Sequence, residues 1–403
     1  MEETINKTPL RRGSGGARPI KLSEIENKDV QRISTGISEL DLVLGGGLVP
    51  GMAVLLAGEP GVGKSTLLLQ MANNIWHVAR GNNEPRAVLY VAGEESASQI
   101  KIRAQRLGIK GENLEILETT DVDEINSHLA ALHSRLIIVD SIQTLTTSDL
   151  SGTAGSVGQV RECAGRLISQ AKSIGIPLIL VGHVTKDGTI AGPKVLEHAV
   201  DTVLSLEGER FSGLRLLRTT KNRFGPTDEV GVLEMGDAGL RTKDINGLIA
   251  DSTDNRVGSC LTVTMEGTRP MILEIQALTT PTPLPSPRRV GNGVDYNRLQ
   301  MIIAILQKRL NLPLYKEDVY VTISGGIKVG EPAIDLAVAL AILSSYRNKA
   351  LGGKMIAVGE LDLLGNVREV NSLAKRIKEG QKLGFKNILS SKNLTSIASF
   401  KLQ

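Results

Sequence analysis

The stretch GEPGVGKST, running through Gly58, Glu59, Pro60, Gly61, Val62, Gly63, Lys64, Ser65 and Thr66, fits the spacing GxxxxGK[ST]. The spacing has a chemical purpose: glycines let backbone N–H groups curl around phosphate oxygens, and a helix beginning at the lysine adds positive potential. Lys64 can then reach the outer phosphates and Ser65 can hold magnesium, which makes the stretch a candidate site for ATP or ADP with Mg2+. Two acidic positions complete the set. "RLIIVD" is an apolar run ending in Asp140, where a carboxylate can support the metal, and "VLYVAGEES" ends in Glu94 and Glu95. Glu94 is the candidate for polarising an attacking water, and a carboxylate pair opening a helix is the rival reading. A basic pair, Lys221 and Arg223 in "LRTTKNRFGPTDE", sits at alternate positions before a Phe-Gly-Pro turn. On residue grounds alone such a pair belongs to a solvated strand end.

These residues need elements to hold them. "AVLLAG", "AVLYVAGEE", "RLIIVDS" and "IPLILVGHV" are short apolar runs rich in β-formers, separated by longer segments. In one of those segments Leu68, Met71, Ala72, Ile75, Trp76 and Ala79 recur at helical spacing. Alternating strands and helices predict an α/β fold with a mostly parallel, buried sheet. The runs "TVLSLEG", "LRLLRTTKN" and "EVGVLEMG" lie close together with turn residues between them and predict an antiparallel extension. Next comes "TTPTPLPSPRRVGNG", whose prolines exclude helix and central strand and suggest a linker. Beyond it, helical periods in "DYNRLQMIIAILQKRL", "PAIDLAVALAILSSYR" and "SLAKRIKEGQKLG" alternate with strands in "DVYVTIS" and "KMIAVGELD". The expected order is a flexible arm over 1–30, an ATPase domain over 31–276, a proline-rich linker over 277–293 and a second α/β domain over 294–403.

Composition limits the alternatives. At 403 residues and 41% hydrophobic content the chain is too long for a single core. Its charge of +4 permits an anionic partner without demanding one. Aromatics at 2% argue against a base-stacking platform for single strands. Cys163 and Cys260, far apart, build neither a four-cysteine zinc site nor a disulfide framework, so no zinc is expected in this chain and a reducing cytoplasm fits. No run approaches the roughly 18 apolar residues of a membrane helix, and no membrane partner is expected.

"RISTGISELDLVLGGGLVPG", the phosphate loop, Glu94, Asp140 and "LVGHVTK" together resemble the RecA-type ATPase core of recombinases, DnaB helicases and KaiC. With "KNRFG" and the later domain, the chain is similar over nearly its whole length after the arm to the RadA (Sms) family. The resemblance implies ATP held between the subunits of a ring, hexameric by expectation, with Lys221 and Arg223 reaching the neighbour's γ-phosphate. It implies single-stranded and branched DNA in the channel, near the Gly/Ser/Thr-rich segment after Asp140, expected to be mobile. A second loop carries Lys186 and Lys194 as phosphate contacts. His183 stands where relatives carry a polar group that senses the γ-phosphate, and Arg103 is a candidate adenine contact. A RecA recombinase or a replicative helicase is a candidate protein partner.

"GEPAIDLAVALAI" and "MIAVGELDLLGNVREVNSLAKRIKEGQKLGF" resemble the proteolytic domain of Lon, whose serine and lysine are replaced here by Ala333 after Pro332 and Ala374 after Leu373. Without a nucleophile, acyl transfer has no chemistry. Lys375, Lys378 and Lys382, with Arg376 beside them and Arg288 and Arg289 upstream, suggest a stripe for a DNA backbone. RadA proteins usually begin with a four-cysteine zinc module, which these residues do not contain. The expected function is a DNA-dependent ATPase motor acting on recombination intermediates. The alternatives are a KaiC-type assembly protein without translocation and a Lon-like protease.

Overall fold

In the computed structural model, residues 31–79, 87–131, 134–183, 193–208, 213–243, 256–324, 327–352 and 355–402 are described. The expected N-terminal arm lies outside them.

The first sheet is built from the apolar runs that the sequence marks. β1 (Ala53–Gly58), β2 (Val88–Ala92), β3 (Leu114–Glu118), β4 (Leu136–Asp140), β5 (Leu178–His183) and β6 (Thr202–Gly208) pair in parallel. β7 (Leu214–Asn222), β8 (Val230–Gly236) and β9 (Gly239–Thr242) extend them antiparallel, giving the order β3-β2-β4-β5-β1-β6-β7-β8-β9. β1 and β2 are buried along their full length, so both faces must be covered. Val54, Leu56, Tyr90 and Ile138 face one side with α1 (Ser38–Leu44), α2 (Lys64–Ala79) and α3 (Ala97–Arg106). Leu55, Leu89, Val91 and Val139 face the other, under α4 (Val122–Ala131) and α5 (Val157–Ile174). Because these strands run parallel, their C-terminal ends, and whatever follows them, lie along one edge of the sheet.

The second sheet has the order β12-β13-β11-β10-β14-β17. Its strands are β10 (Ser259–Glu266), β11 (Arg269–Pro281), β12 (Arg289–Asn292), β13 (Glu317–Ile323), β14 (Met355–Ala357) and β17 (Asn387–Leu389). α6 (Tyr296–Arg309) and the almost wholly buried α7 (Asp335–Arg347) pack on it with α8 (Leu373–Lys382), and β15 (Glu360–Leu361) pairs with β16 (Val367–Arg368).

Two expectations change here. The boundary at residue 276 falls inside β11, and the proline run joins β11 to β12 within one sheet instead of linking two bodies. The reason is non-local: β12 pairs in parallel with β13, and Pro281 pairs with Glu317, partners that lie some way downstream. The segment between Asp140 and α5, expected to be mobile, is tied down by polar contacts. The buried Gln159 amide bridges Thr147 N, Thr147 O and Leu150 O, while Arg166 holds Asp123, Asp149 and Thr147.

Residues Arg32–Gln403 form one compact unit, joined across the two sheets by the β10–β11 turn. Thr268 N donates to Asp228 O (2.7 Å) and its hydroxyl to Glu229 (2.8 Å). Arg269 pairs with the nearly buried Glu39 at 2.6 Å and Arg218 with Glu266 at 2.7 Å. Gly267 has φ +61, and a Cβ there would lie 1.7 Å from the Asp228 carbonyl oxygen, so the approach requires glycine.

Candidate nucleotide site

The end of β1 turns through the glycines into α2. Gly63 has φ +116, and a Cβ on it would meet Met235 Cε at 2.5 Å. The β8–β9 hairpin therefore lies directly over the loop. Arg215 on β7 donates to Val62 O at 2.9 Å and supports the loop from beneath. Lys64, 4% exposed, donates to the carbonyls of Gly58 (2.9 Å) and Glu59 (3.0 Å). Burial lowers its pKa, and the attraction of Asp140 and Glu94 opposes that shift.

A cavity of about 700 Å3 opens beside this loop. Gly61, Gly63, Lys64, Ser65, Glu94, Arg103 and Asp140 all line it. Residues from three strand ends, the start of α2 and the body of α3, scattered over about eighty positions of the chain, thus meet where parallel strands end, as doubly wound sheets place their ligands. A hydroxyl, a carboxylate and an ammonium in one cavity suit a triphosphate with a hard cation that keeps several waters and takes one or two protein oxygens. Ser65 and Asp140 are the groups that would hold magnesium, and the curled loop with Lys64 would hold phosphates.

Glu94 lies just past β2. Ser141 donates its hydroxyl to Glu94 Oε1, and His183 Nε2 lies 3.2 Å from the same oxygen. His183, then the Ser141 hydroxyl and Lys64, outweigh burial and hold the Glu94 carboxyl down to about 2. Gln143 fixes His183 by accepting from its N–H (3.2 Å) and donating to its carbonyl (3.1 Å). Arg103 pairs with Glu95, leaving one buried Nη1 without a partner among the described residues.

Lys221 and Arg223 do not line this cavity. Lys221 Nζ donates to the carbonyls of Glu197 (2.7 Å) and Val200 (2.8 Å), and Arg223, its side chain 56% exposed, contacts the buried Asp201 at 3.2 Å. The turn that carries them is seated on the loop after α1. Arg32 donates to Phe224 O at 2.6 Å, and a Cβ on Gly225 would approach Gly45 Cα to 3.0 Å.

The candidate DNA contacts do not form one class. Lys186 lies outside the described residues, and Lys194 is exposed in a 3-10 turn over Pro193–Val195. Lys375 and Lys378 are exposed on α8, Lys382 is exposed but 3.0 Å from Glu379, and Arg288 is exposed. Arg289 departs from expectation, for its guanidinium donates to the carbonyls of Leu314 (2.6 Å) and Glu317. Arg376 is no part of the stripe either: it is 1% exposed and paired with Glu331. Ala333 is buried in the turn before α7, and Ala374 is exposed on α8.

Sequence reasoning passed over Tyr90, Ser141 and Gln143. For Tyr90 a signal existed: a lone hydroxyl-bearing ring in the apolar run "VLYVA" needs a buried partner.

The profile of the AAA domain family matches residues 18–189, and that of subunit ChlI of Mg-chelatase matches residues 296–393. The DNA repair protein RadA of Bacillus subtilis is 44% identical over 399 residues, covering 96% of this chain and 86% of its own. The proteins of the same name from Streptococcus pneumoniae (46% identical, 94% of this chain, 90% of its own) and Synechocystis (47% identical, 94% and 78%) are similarly alike.

Proposed function

The chain belongs to the RadA family of DNA repair proteins, and from that premise we propose that it is a DNA-stimulated ATPase whose sites are completed by a neighbouring subunit of a ring. The cavity beside the phosphate loop would take magnesium–ATP, with Lys64 to hold the outer phosphates and Ser65 and Asp140 to hold the metal. When bound there, magnesium would supply positive charge to balance what builds up on the phosphate oxygens during transfer. Arg103, through its spare Nη1, is a donor for the nucleotide base.

Glu94 accepts a proton of the attacking water. At a pKa of about 2 it orients that water well but is a weak base. Separation from Ser141 and His183 raises its basicity, so a shift of the strand end after β5 speeds hydrolysis. DNA bound near Lys194 and Lys186, at the segment following His183, supplies such a shift. Arg223 acts on the γ-phosphate of the adjacent subunit, assisted by the one donor that Lys221 keeps beyond its bonds to Glu197 O and Val200 O, and Lys375, Lys378, Lys382 and Arg288 track the duplex backbone. Driven round a hexameric ring, these steps move the protein along recombination intermediates. With alanine at 333 and 374, peptide cleavage has no nucleophile.

The observation that carries this reading is the separation of the two halves of the chemistry. The phosphate loop, Glu94 and Asp140 share one cavity, and the basic pair stands outside it on the same chain. The test is complementation: Arg223→Ala and Glu94→Gln proteins are each assayed for ATP turnover with single-stranded DNA, then mixed. Recovery of turnover on mixing supports a site shared between subunits. No recovery, with Arg223→Ala as active as the parent, places the pair on a solvated strand end. DNA-independent turnover in the parent favours a nucleotide-gated assembly protein instead.

A further inference from the structure

Tyr90 is the polar exception in β2. Its residue is 1% exposed, yet its hydroxyl lies 2.6 Å from Asp140 Oδ2 and its ring borders the nucleotide cavity. The register explains the reach. Tyr90 sits opposite Ile138 and Ala92 opposite Asp140, so tyrosine and aspartate belong to the same face, two residues apart along adjacent strands. That offset is about 6.6 Å of strand rise, close to the length of a tyrosine side chain and beyond that of serine or threonine. The phenol O–H is the donor and the carboxylate, which has only acceptors, takes the bond.

The terminal torsion of an aspartate is broad, and a carboxylate at a strand end turns readily unless something holds one oxygen. We propose that Tyr90 is a positioning residue for the magnesium-bound nucleotide: its hydroxyl fixes one oxygen of Asp140 and thereby presents the other to the cation. The bond is charge-assisted and short, the kind that holds orientation most firmly. Phenylalanine at this position keeps the packing against the buried face and removes only the hydroxyl. The inference rests on Asp140 serving the metal, and the test separates the two claims.

Binding of a fluorescent ATP analogue to the full chain is titrated with Mg2+ for the parent, Tyr90→Phe and Asp140→Asn, with a parallel series in EDTA. Tyr90→Phe is expected to raise the Mg2+ concentration for half-maximal binding by about fivefold to tenfold, the weight of one hydrogen bond. Binding in EDTA stays as in the parent, which a general loosening of the fold would not allow. If Asp140→Asn shifts the Mg2+ titration and Tyr90→Phe does not, the tyrosine is only packing and the proposal is overturned. If neither shifts it, Asp140 is not the metal's residue, and both claims fall.

Discussion

Replacing Glu331 by alanine leaves Arg376 as a buried cation without its counter-ion. In the parent, Arg376 Nη1 and Nη2 donate to Glu331 Oε1 (2.7 Å) and Oε2 (2.6 Å), with further bonds to Asn371 O (2.9 Å) and Val263 O (2.6 Å). Glu331 also accepts from the Thr264 hydroxyl (2.6 Å) and Met265 N (2.8 Å). The arginine side chain is 1% exposed and the glutamate 27%, so the stranded charge cannot rotate into water. Breaking such a pair costs about 3–5 kcal/mol. Denaturant unfolding of Glu331→Ala is therefore expected to show a loss of that size, whereas Lys375→Ala and Lys378→Ala on the exposed face of α8 stay within about 0.5 kcal/mol. The joint change Glu331→Gln with Arg376→Met should recover most of the loss, since a neutral pair needs no counter-charge. Burial pushes the Glu331 carboxyl up, but Arg376, Thr264 and Met265 N–H together bring it below its ordinary 4.5. Its contribution is then full above the unfolded carboxylate value and lost as pH falls below that range. If Arg376→Ala unfolds like the parent yet weakens DNA binding as the lysine variants do, the guanidinium belongs to the surface stripe and the reasoning fails.

Three further outcomes follow from the geometry. Glu94→Gln should cut ATP turnover by about 10²–10⁴-fold while nucleotide binding persists. Because Glu94 is held at about 2, it adds no acid limb to turnover between pH 5 and 8; Ser141→Ala, removing one of its donors, should move that limb upward in a pH–rate series. Gly267→Ala puts a Cβ 1.7 Å from a backbone oxygen that cannot step aside, at φ +61. It should cost at least about 2 kcal/mol in unfolding experiments, an effect absent from Gly108→Ser at an open site of similar φ, where only the strain of the left-handed backbone remains.

Much of the nucleotide site was legible because its parts are local. The phosphate loop is contiguous, and the strand-end acids Glu94 and Asp140 each follow a recognisable apolar run, so period and punctuation suffice. The same holds for the alternation that makes the first sheet parallel and buried. Tyr90 was legible in principle, as a polar atom inside an apolar strand, but its partner lies fifty positions away on a neighbouring strand.

What the chain alone determined, then, was the pattern written in short windows: a glycine-rich loop with phosphate-binding spacing, two acids at strand ends and a basic pair before a turn. Only the tertiary structure decided which charges are free. Arg376 and Arg289 look like members of a basic stripe, yet the first is sealed against Glu331 and the second satisfies backbone carbonyls. Lys221 is likewise held by the carbonyls of Glu197 and Val200. The proline run, which reads as a linker, is a crossing within one sheet because β12 finds its partner in β13. Strand pairing and burial depend on residues brought together from far along the chain, and a charge takes its meaning from the neighbours that either leave it in water or replace the water around it.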